Sequence, residues 1–125
     1  MFTLEVEDHF SAAHQLREYR GKCENLHGHN WRVKVAVGGA ALPSNGMLMD
    51  FGDLKKILAD ELNLLDHQFL NQIPPFDRRN PTSESIAQYL FHRLAPQLPA
   101  TVQMSAVTVW ESEKCCAVYS EKVES

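Results

Sequence analysis

The chain has 125 residues, a formal net charge of −4, and a composition of 44% hydrophobic and 22% charged residues. That size and balance suit one globular domain over residues 1–125, and the acidic excess offers no field for nucleic acid. No apolar run approaches the roughly 20 residues of a membrane helix. The start, Met1-Phe2-Thr3-Leu4-Glu5, lacks the basic-then-apolar pattern of a secretory leader. Three cysteines, two of them adjacent at Cys115 and Cys116, make a poor disulfide framework. The expected setting is therefore reducing and cytoplasmic, with Cys23 a free thiol.

Residues 2–8 alternate, with Phe2, Leu4 and Val6 against Thr3, Glu5 and Glu7, which is the pattern of a strand with one buried face. The same register carried onward takes Asp8, Phe10, Ala12 and His14 along the apolar side, a length at which strands usually bulge. Residues 15–26 are polar and read as a loop. Residues 30–37 alternate again, with Trp31, Val33, Val35 and Val37 on one side, and His27 and His29 are in phase with Trp31. The two strands form an antiparallel pair whose loop end gathers His14, His27 and His29. A second loop follows through Gly38-Gly39 and Pro43-Ser44-Asn45-Gly46.

Asp50 reads as a helix N-cap. Phe51, Leu54, Ile57, Leu58, Leu62 and Leu65 recur at helical spacing over roughly 50–64. Residues 66–81 are a proline-rich connection. Thr82 or Ser83 caps a second helix, with stripe Ile86, Ala87, Leu90, Phe91 and Leu94, which Pro96 and Pro99 end. Residues 102–111 and 115–122 read as a hairpin. Its first strand sets Val102, Met104, Ala106, Thr108 and Trp110 on one face and Val107 and Val109 on the other, apolar on both sides as burial between layers or subunits requires. The predicted class is α+β, in the order strand, strand, helix, helix, strand, strand: a four-stranded antiparallel sheet with both helices on one face.

Six histidines is a high count, and four of them lie in the first thirty positions. His14, His27 and His29 offer three imidazoles and an open fourth position, a catalytic zinc pattern; a three-imidazole site also takes other first-row ions. Cys23 is either a catalytic thiol or a fourth ligand that closes a structural site. Asp66-His67, just past the first helix, is either a proton relay to a thiol or local hydrogen bonding. Glu111 is either an acceptor for paired N–H groups of a planar heterocycle or a solvated strand end. Thr82 and Ser83 can bind polar ligand atoms at a helix start, or cap the helix only. Arg17, Arg20 and Lys22 are cations suited to an anionic group such as phosphate, or simply a solvated loop.

These pieces together resemble the 6-pyruvoyltetrahydropterin synthase / 6-carboxytetrahydropterin synthase family. The matching segments are Phe10-Ser11-Ala12-Ala13-His14, Cys23-x3-His27-Gly28-His29-Asn30, Met49-Asp50-Phe51-x2-Leu54-Lys55, Leu65-Asp66-His67-x2-Leu70-Asn71, Pro81-Thr82-x-Glu84-Ser85-Ile86-Ala87 and Glu111. The three residues between Cys23 and His27 resemble the carboxy-forming synthases of the queuosine (7-deazaguanine) pathway; synthases of the biopterin pathway usually have a longer spacing. Cys23 also argues against a retro-aldol branch that carries Glu in its place.

The resemblance implies a tunnelling fold (T-fold), three subunits closing their sheets into a barrel, and two trimers stacked as a homohexamer with sites at subunit interfaces. It implies zinc on His14, His27 and His29, base function on Cys23, a relay through His67 with Asp66, and pterin anchoring plus a catalytic proton relay on Glu111, with Thr82 and Ser83 alongside as substrate-binding residues. The implied reaction converts 7,8-dihydroneopterin triphosphate to 6-carboxy-5,6,7,8-tetrahydropterin, releasing acetaldehyde and triphosphate. The alternatives are 6-pyruvoyltetrahydropterin synthase activity, with the side chain retained, and a non-catalytic zinc-binding module. No His-Glu-x-x-His helix of an ordinary zinc hydrolase occurs in the sequence.

Overall fold

The computed structural model describes residues 1–18 and 26–121. Cys23, Arg20 and Lys22 lie outside the described residues, as does position 122 of the expected last strand. The elements are β1 (Phe2–His14), β2 (His27–Gly39), α1 (Phe51–Asn63), α2 (Ser83–Leu94), β3 (Gln103–Ser112) and β4 (Cys115–Tyr119), with 3-10 turns at Leu70–Gln72 and Ala95–Gln97. The sheet order is β1-β2-β3-β4, antiparallel throughout. This is the ββααββ order expected from the sequence.

β1 runs its whole length without a bulge, because β2 pairs with it residue for residue from Phe2↔Gly39 to His14↔His27. An unbroken partner removes the need for a break. The alternation then sets one face of the sheet under the helices: Val6 and Phe10 on β1, and Trp31, Val33, Val35 and Val37 on β2, are all buried. Phe10 and Trp31, directly opposite in register, stack at 6.0 Å.

β3 departs from strict alternation. Val107 and Val109 face the core, opposite Val35 and Val33. The register shifts between Ala36 and Val37, so that Val37 pairs with Met104. An extra residue in one strand swaps faces beyond it. Met104 therefore packs on the core while Ala106, Thr108 and Trp110 stay on the opposite side, and the single face expected for Met104 through Trp110 is split. On that opposite side the Arg32 guanidinium lies 3.8 Å from the Trp110 ring centroid, and Lys34 pairs with Glu5 at 3.2 Å.

Asp50 caps α1, its Oδ1 accepting from Gly52 N at 2.6 Å. Thr82 caps α2, its Oγ1 accepting from Ser85 N at 3.1 Å. The α1 stripe buries Leu54, Leu58 and Leu62, with Leu65 just beyond the helix, whereas Phe51 is exposed on the first turn. The α2 stripe of Ile86, Ala87, Leu90, Phe91 and Leu94 is buried as expected. One polar tie joins the helices. Buried Glu61 accepts from Arg93 Nε at 3.0 Å, Arg93 Nη2 at 3.3 Å and Gln97 Nε2 at 2.8 Å.

The tie is unequal, because Glu61 is buried while the Arg93 side chain is 48% exposed. Removing Arg93 leaves a buried carboxylate without its cation, held by Gln97 alone; removing Glu61 leaves a cation that water can solvate. Arg93→Ala is expected to cost about 3 kcal/mol and Glu61→Leu less than about 1.5 kcal/mol, read as the shift of the urea midpoint. Equal costs would show that burial of Glu61 is not what sets the energy.

Candidate active site

The β1/β2 register decides the first half of the site. His14 sits opposite His27, Ala12 sits opposite His29, and all three imidazoles project on the face of Trp31. Their rings meet nearly edge to face, with centroids 4.6 Å apart for His14–His27, 4.9 Å for His14–His29 and 4.4 Å for His27–His29. Trp31 supports them from below, 4.9 Å from His14 and 5.3 Å from His29. Its indole N–H donates to Ala12 O at 3.3 Å.

His14 is fully buried, and its Nδ1 donates to Pro81 O at 2.8 Å. That bond fixes the ring so that Nε2 faces the other two imidazoles, as a metal-ligating histidine requires. His14 Nε2 lies 3.1 Å from His27 Nε2. Glu111 joins from β3, its Oε1 3.2 Å from His29 Nε2. One donor atom from each of His14, His27, His29 and Glu111 lies within 4.8 Å of all the others. A tetrahedral zinc site has donor–donor edges of roughly 3.3 Å; the His14–His27 and His29–Glu111 separations are close to that edge, so the set could hold a metal ion.

Beside this cluster lies a cavity of about 340 Å³, lined by His29, Glu111, Ser83, Glu84 and Cys115 among others. Thr82 sits at the α2 start, but its hydroxyl is spent on the cap and its N–H donates to Asn80 O at 2.9 Å. Ser83 and Glu84 are the residues of that turn that face the cavity. Glu84 belongs to the helix-start motif read from the sequence but is not assigned to the site there, because an acidic residue in a first helical turn already has a reason to be present. Pro81 stands in the same motif, but nothing in the sequence says that its carbonyl meets His14.

Asp66 and His67 are brought elsewhere. They line or flank a second cavity of about 510 Å³, formed with Ser11, Gly28, Asn30 and Phe69, which shares His29 with the first. His67 has a φ of 59°, a left-handed conformation rare for a side chain with a Cβ. Reciprocal bonds hold it: His67 N donates to Ser11 O at 2.6 Å, and Ser11 N donates to Asp66 Oδ1 at 2.8 Å. Asp66 Oδ2 meets His67 Nδ1 at 2.8 Å, so one carboxylate both ties the turn to β1 and orients the ring, which is 81% exposed. A Cβ on Gly28 would meet no described atom within 4 Å, so crowding does not demand glycine there.

Of the basic residues, Arg17 is committed to structure. Its guanidinium donates to Phe76 O at 2.7 Å, Arg79 O at 3.2 Å and Asn71 O at 3.4 Å. Asn80 and Asn71 bond the backbone of Arg17 and Gln15 in return. This clasp holds the 71–80 connection against the end of β1, and so fixes Pro81 over His14.

The family model of 6-pyruvoyl tetrahydropterin synthase matches residues 3–122. The chain belongs to that family. It is 43% identical over 100 residues to the 6-carboxy-5,6,7,8-tetrahydropterin synthase of Synechocystis, covering 75% of each chain. It is 36% identical over 124 residues to the 6-pyruvoyl tetrahydrobiopterin synthase of Poecilia reticulata, covering 88% of this chain and 84% of that one. The 6-pyruvoyl tetrahydropterin synthase structure of Caenorhabditis elegans superposes with a TM-score of 0.83 at 33% identity, covering 97% and 96% of the two chains. The fold and the enzyme class, a pterin lyase, follow from this membership.

The Ser11 backbone bond holds the Asp66 carboxyl below the usual carboxylate range, with His67 adding to the effect and partial burial opposing it. A depressed folded pKa contributes stability that is present above the unfolded value and lost as pH falls through the folded one. The wild type is therefore expected to lose stability as pH drops below about 4, and Asp66→Asn to show a flatter acid limb in urea titrations from pH 5 to 3. Parallel limbs for the two proteins would refute the tie.

Proposed function

We infer that the chain, read as one domain over residues 1–125, is a zinc-dependent 6-carboxytetrahydropterin synthase serving queuosine (7-deazaguanine) biosynthesis in the cytoplasm. The observation that carries this reading is the cluster of His14, His27, His29 and Glu111 opening on a cavity edged by Ser83 and Glu84. The three residues between Cys23 and His27 favour the carboxy-forming branch, and the Synechocystis relative supports it. The substrate is 7,8-dihydroneopterin triphosphate; the products are 6-carboxy-5,6,7,8-tetrahydropterin, acetaldehyde and triphosphate.

His14, His27 and His29 would hold zinc, which supplies Lewis acidity toward side-chain oxygens of the substrate. Glu111 accepts the paired N–H groups of the pterin, and Ser83, with Thr82 behind it, edges the ring. Cys23 is the base. His67, held by Asp66, shares its proton and passes it on. Arg17 is occupied by three carbonyls, so Arg20 and Lys22 are the better cations for the triphosphate.

His67 opens on a different cavity from Glu111 within one chain. That separation supports sites completed by a neighbouring subunit. The edge strand β1, thirteen residues long, is a ready template for pairing with another chain, and we assign a homohexamer built as a dimer of trimers.

Incubation with 7,8-dihydroneopterin triphosphate is expected to yield acetaldehyde and the 6-carboxy product by mass spectrometry, and none after chelation. A product that keeps its three-carbon side chain would instead establish the 6-pyruvoyl activity, which the Poecilia relative favours.

Cys23→Ala is expected to retain zinc and lose turnover by about 100-fold or more. Loss of zinc together with unfolding in that variant would make the site a structural module.

A further inference from the structure

The face of the sheet turned away from the helices carries a cavity of its own, of about 600 Å³, lined by Asn30, Arg32, Trp110, Ser112 and Glu113. Arg32 and Trp110 are register partners on β2 and β3, and the Arg32 guanidinium lies over the indole, 3.8 Å from the ring centroid. We propose that this cavity binds an anion of the phosphate class, captured by the Arg32 guanidinium with the Asn30 amide and the Ser112 hydroxyl.

The first support is a comparison of cations. Arg17 gives its guanidinium to three backbone carbonyls, Arg93 gives its own to Glu61, and Lys34 pairs with Glu5 at 3.2 Å. Among the described residues the Arg32 guanidinium makes no hydrogen bond and no ion pair; its partner there is the Trp110 ring. A guanidinium is a planar fork of N–H donors. A ring beneath it covers one face of that plane and leaves the donor edge open. The long side chain is thereby held in place before any ligand arrives, which lowers the entropy lost on capturing one. Two parallel N–H groups then match two oxygens of a phosphate.

The second is the set of donors beside it. Asn30 and Ser112 each stand two residues along the same strands from Arg32 and Trp110. The Asn30 amide is oriented by Ser11, whose hydroxyl donates to Asn30 Oδ1 at 2.6 Å. That bond spends the acceptor and leaves Nδ2 as a donor. The Ser112 hydroxyl has no hydrogen-bond partner among the described residues. One cation and two neutral donors therefore edge the same cavity.

The third is the placing of the carboxylates. In register, β1 sets His9 opposite Arg32 and Glu7 opposite Lys34. Glu5 is engaged by Lys34. Glu113, exposed on the β3–β4 turn, is the carboxylate among the cavity's lining residues, and it opposes an anion there.

Asn30 also lines the His67 cavity, and Ser112 the cavity beside Glu111. The anion is either free phosphate or the triphosphate that the proposed reaction releases. The second source rests on that reading; the site itself does not.

Trp110 is the site's own reporter. The whole protein is titrated with inorganic triphosphate and, separately, with orthophosphate, followed by tryptophan fluorescence and by calorimetry. Wild type is expected to show a saturable change that weakens as sodium chloride is raised. Arg32→Ala is expected to bind about tenfold or more weakly, and Arg32→Lys to fall between, because an ammonium keeps the charge without the fork. Trp110→Phe is expected to keep calorimetric binding and lose the fluorescence change, leaving the signal of buried Trp31. Glu113→Gln is expected to bind more tightly. Circular dichroism checks the fold of each variant. Zinc content is measured before and after each titration, since triphosphate also chelates metal; Arg32→Ala keeps all the histidines, so its difference from wild type reads Arg32.

Tighter binding of triphosphate than of orthophosphate would assign the released product, and equal binding would assign free phosphate. Binding of neither anion, or equal affinity in wild type and folded Arg32→Ala, would overturn the site. Absence of triphosphate release from 7,8-dihydroneopterin triphosphate would overturn the catalytic reading and leave the Arg32 titration to decide this one.

Discussion

The unbroken ladder between β1 and β2 is the constraint on which the rest depends. Thirteen consecutive residues of each strand pair without slippage. A one-residue slip would turn every side chain to the other face, taking Phe10, Trp31, His14, His27 and His29 off the helix-covered face together. The same hydrophobic burial that holds Val33, Val35 and Trp31 beneath the helices therefore also fixes His14 opposite His27. Stability and site geometry are not separate properties of this sheet.

The surroundings of the histidines follow from that anchor. The Arg17 clasp draws the 71–80 connection onto the end of β1 and brings the Pro81 carbonyl to His14 Nδ1. The cap at Thr82 then starts α2 directly after that carbonyl, so the helix presents Ser83 and Glu84 to the cavity. A short run of residues, Asn80 to Glu84, thus serves packing, orientation of the His14 ring and the cavity wall in succession.

The Asp66-His67 turn is built on the same strand but opens elsewhere. Ser11 gives its carbonyl and its N–H to this turn and keeps a left-handed histidine in place. Its hydroxyl meets Asn30 at 2.6 Å across the ladder. Strain of this kind persists only where surrounding bonds over-determine it, and here the bonds come from a strand already locked by its thirteen-residue partner.

Local physics alone made much of the chain legible. Alternation in residues 2–14 and 27–37 marked both long strands and put three histidines in phase, because a strand's period of two needs no knowledge of its partner. Helical stripes and caps at Asp50 and Thr82 placed α1 and α2 for the same reason. The motifs from Phe10 to Glu111 were sufficient to name the family. What the tertiary structure decided were relations across the fold. The bulge opposite Val37 moved Met104 to the core, since a register shift belongs to two strands and not to one. The guanidinium of Arg17 went to backbone carbonyls that lie more than fifty residues away. Glu111 entered the donor set of His14, His27 and His29, and His67 opened onto a different cavity, because a donor set is a matter of distance in space, which spacing along a chain does not encode.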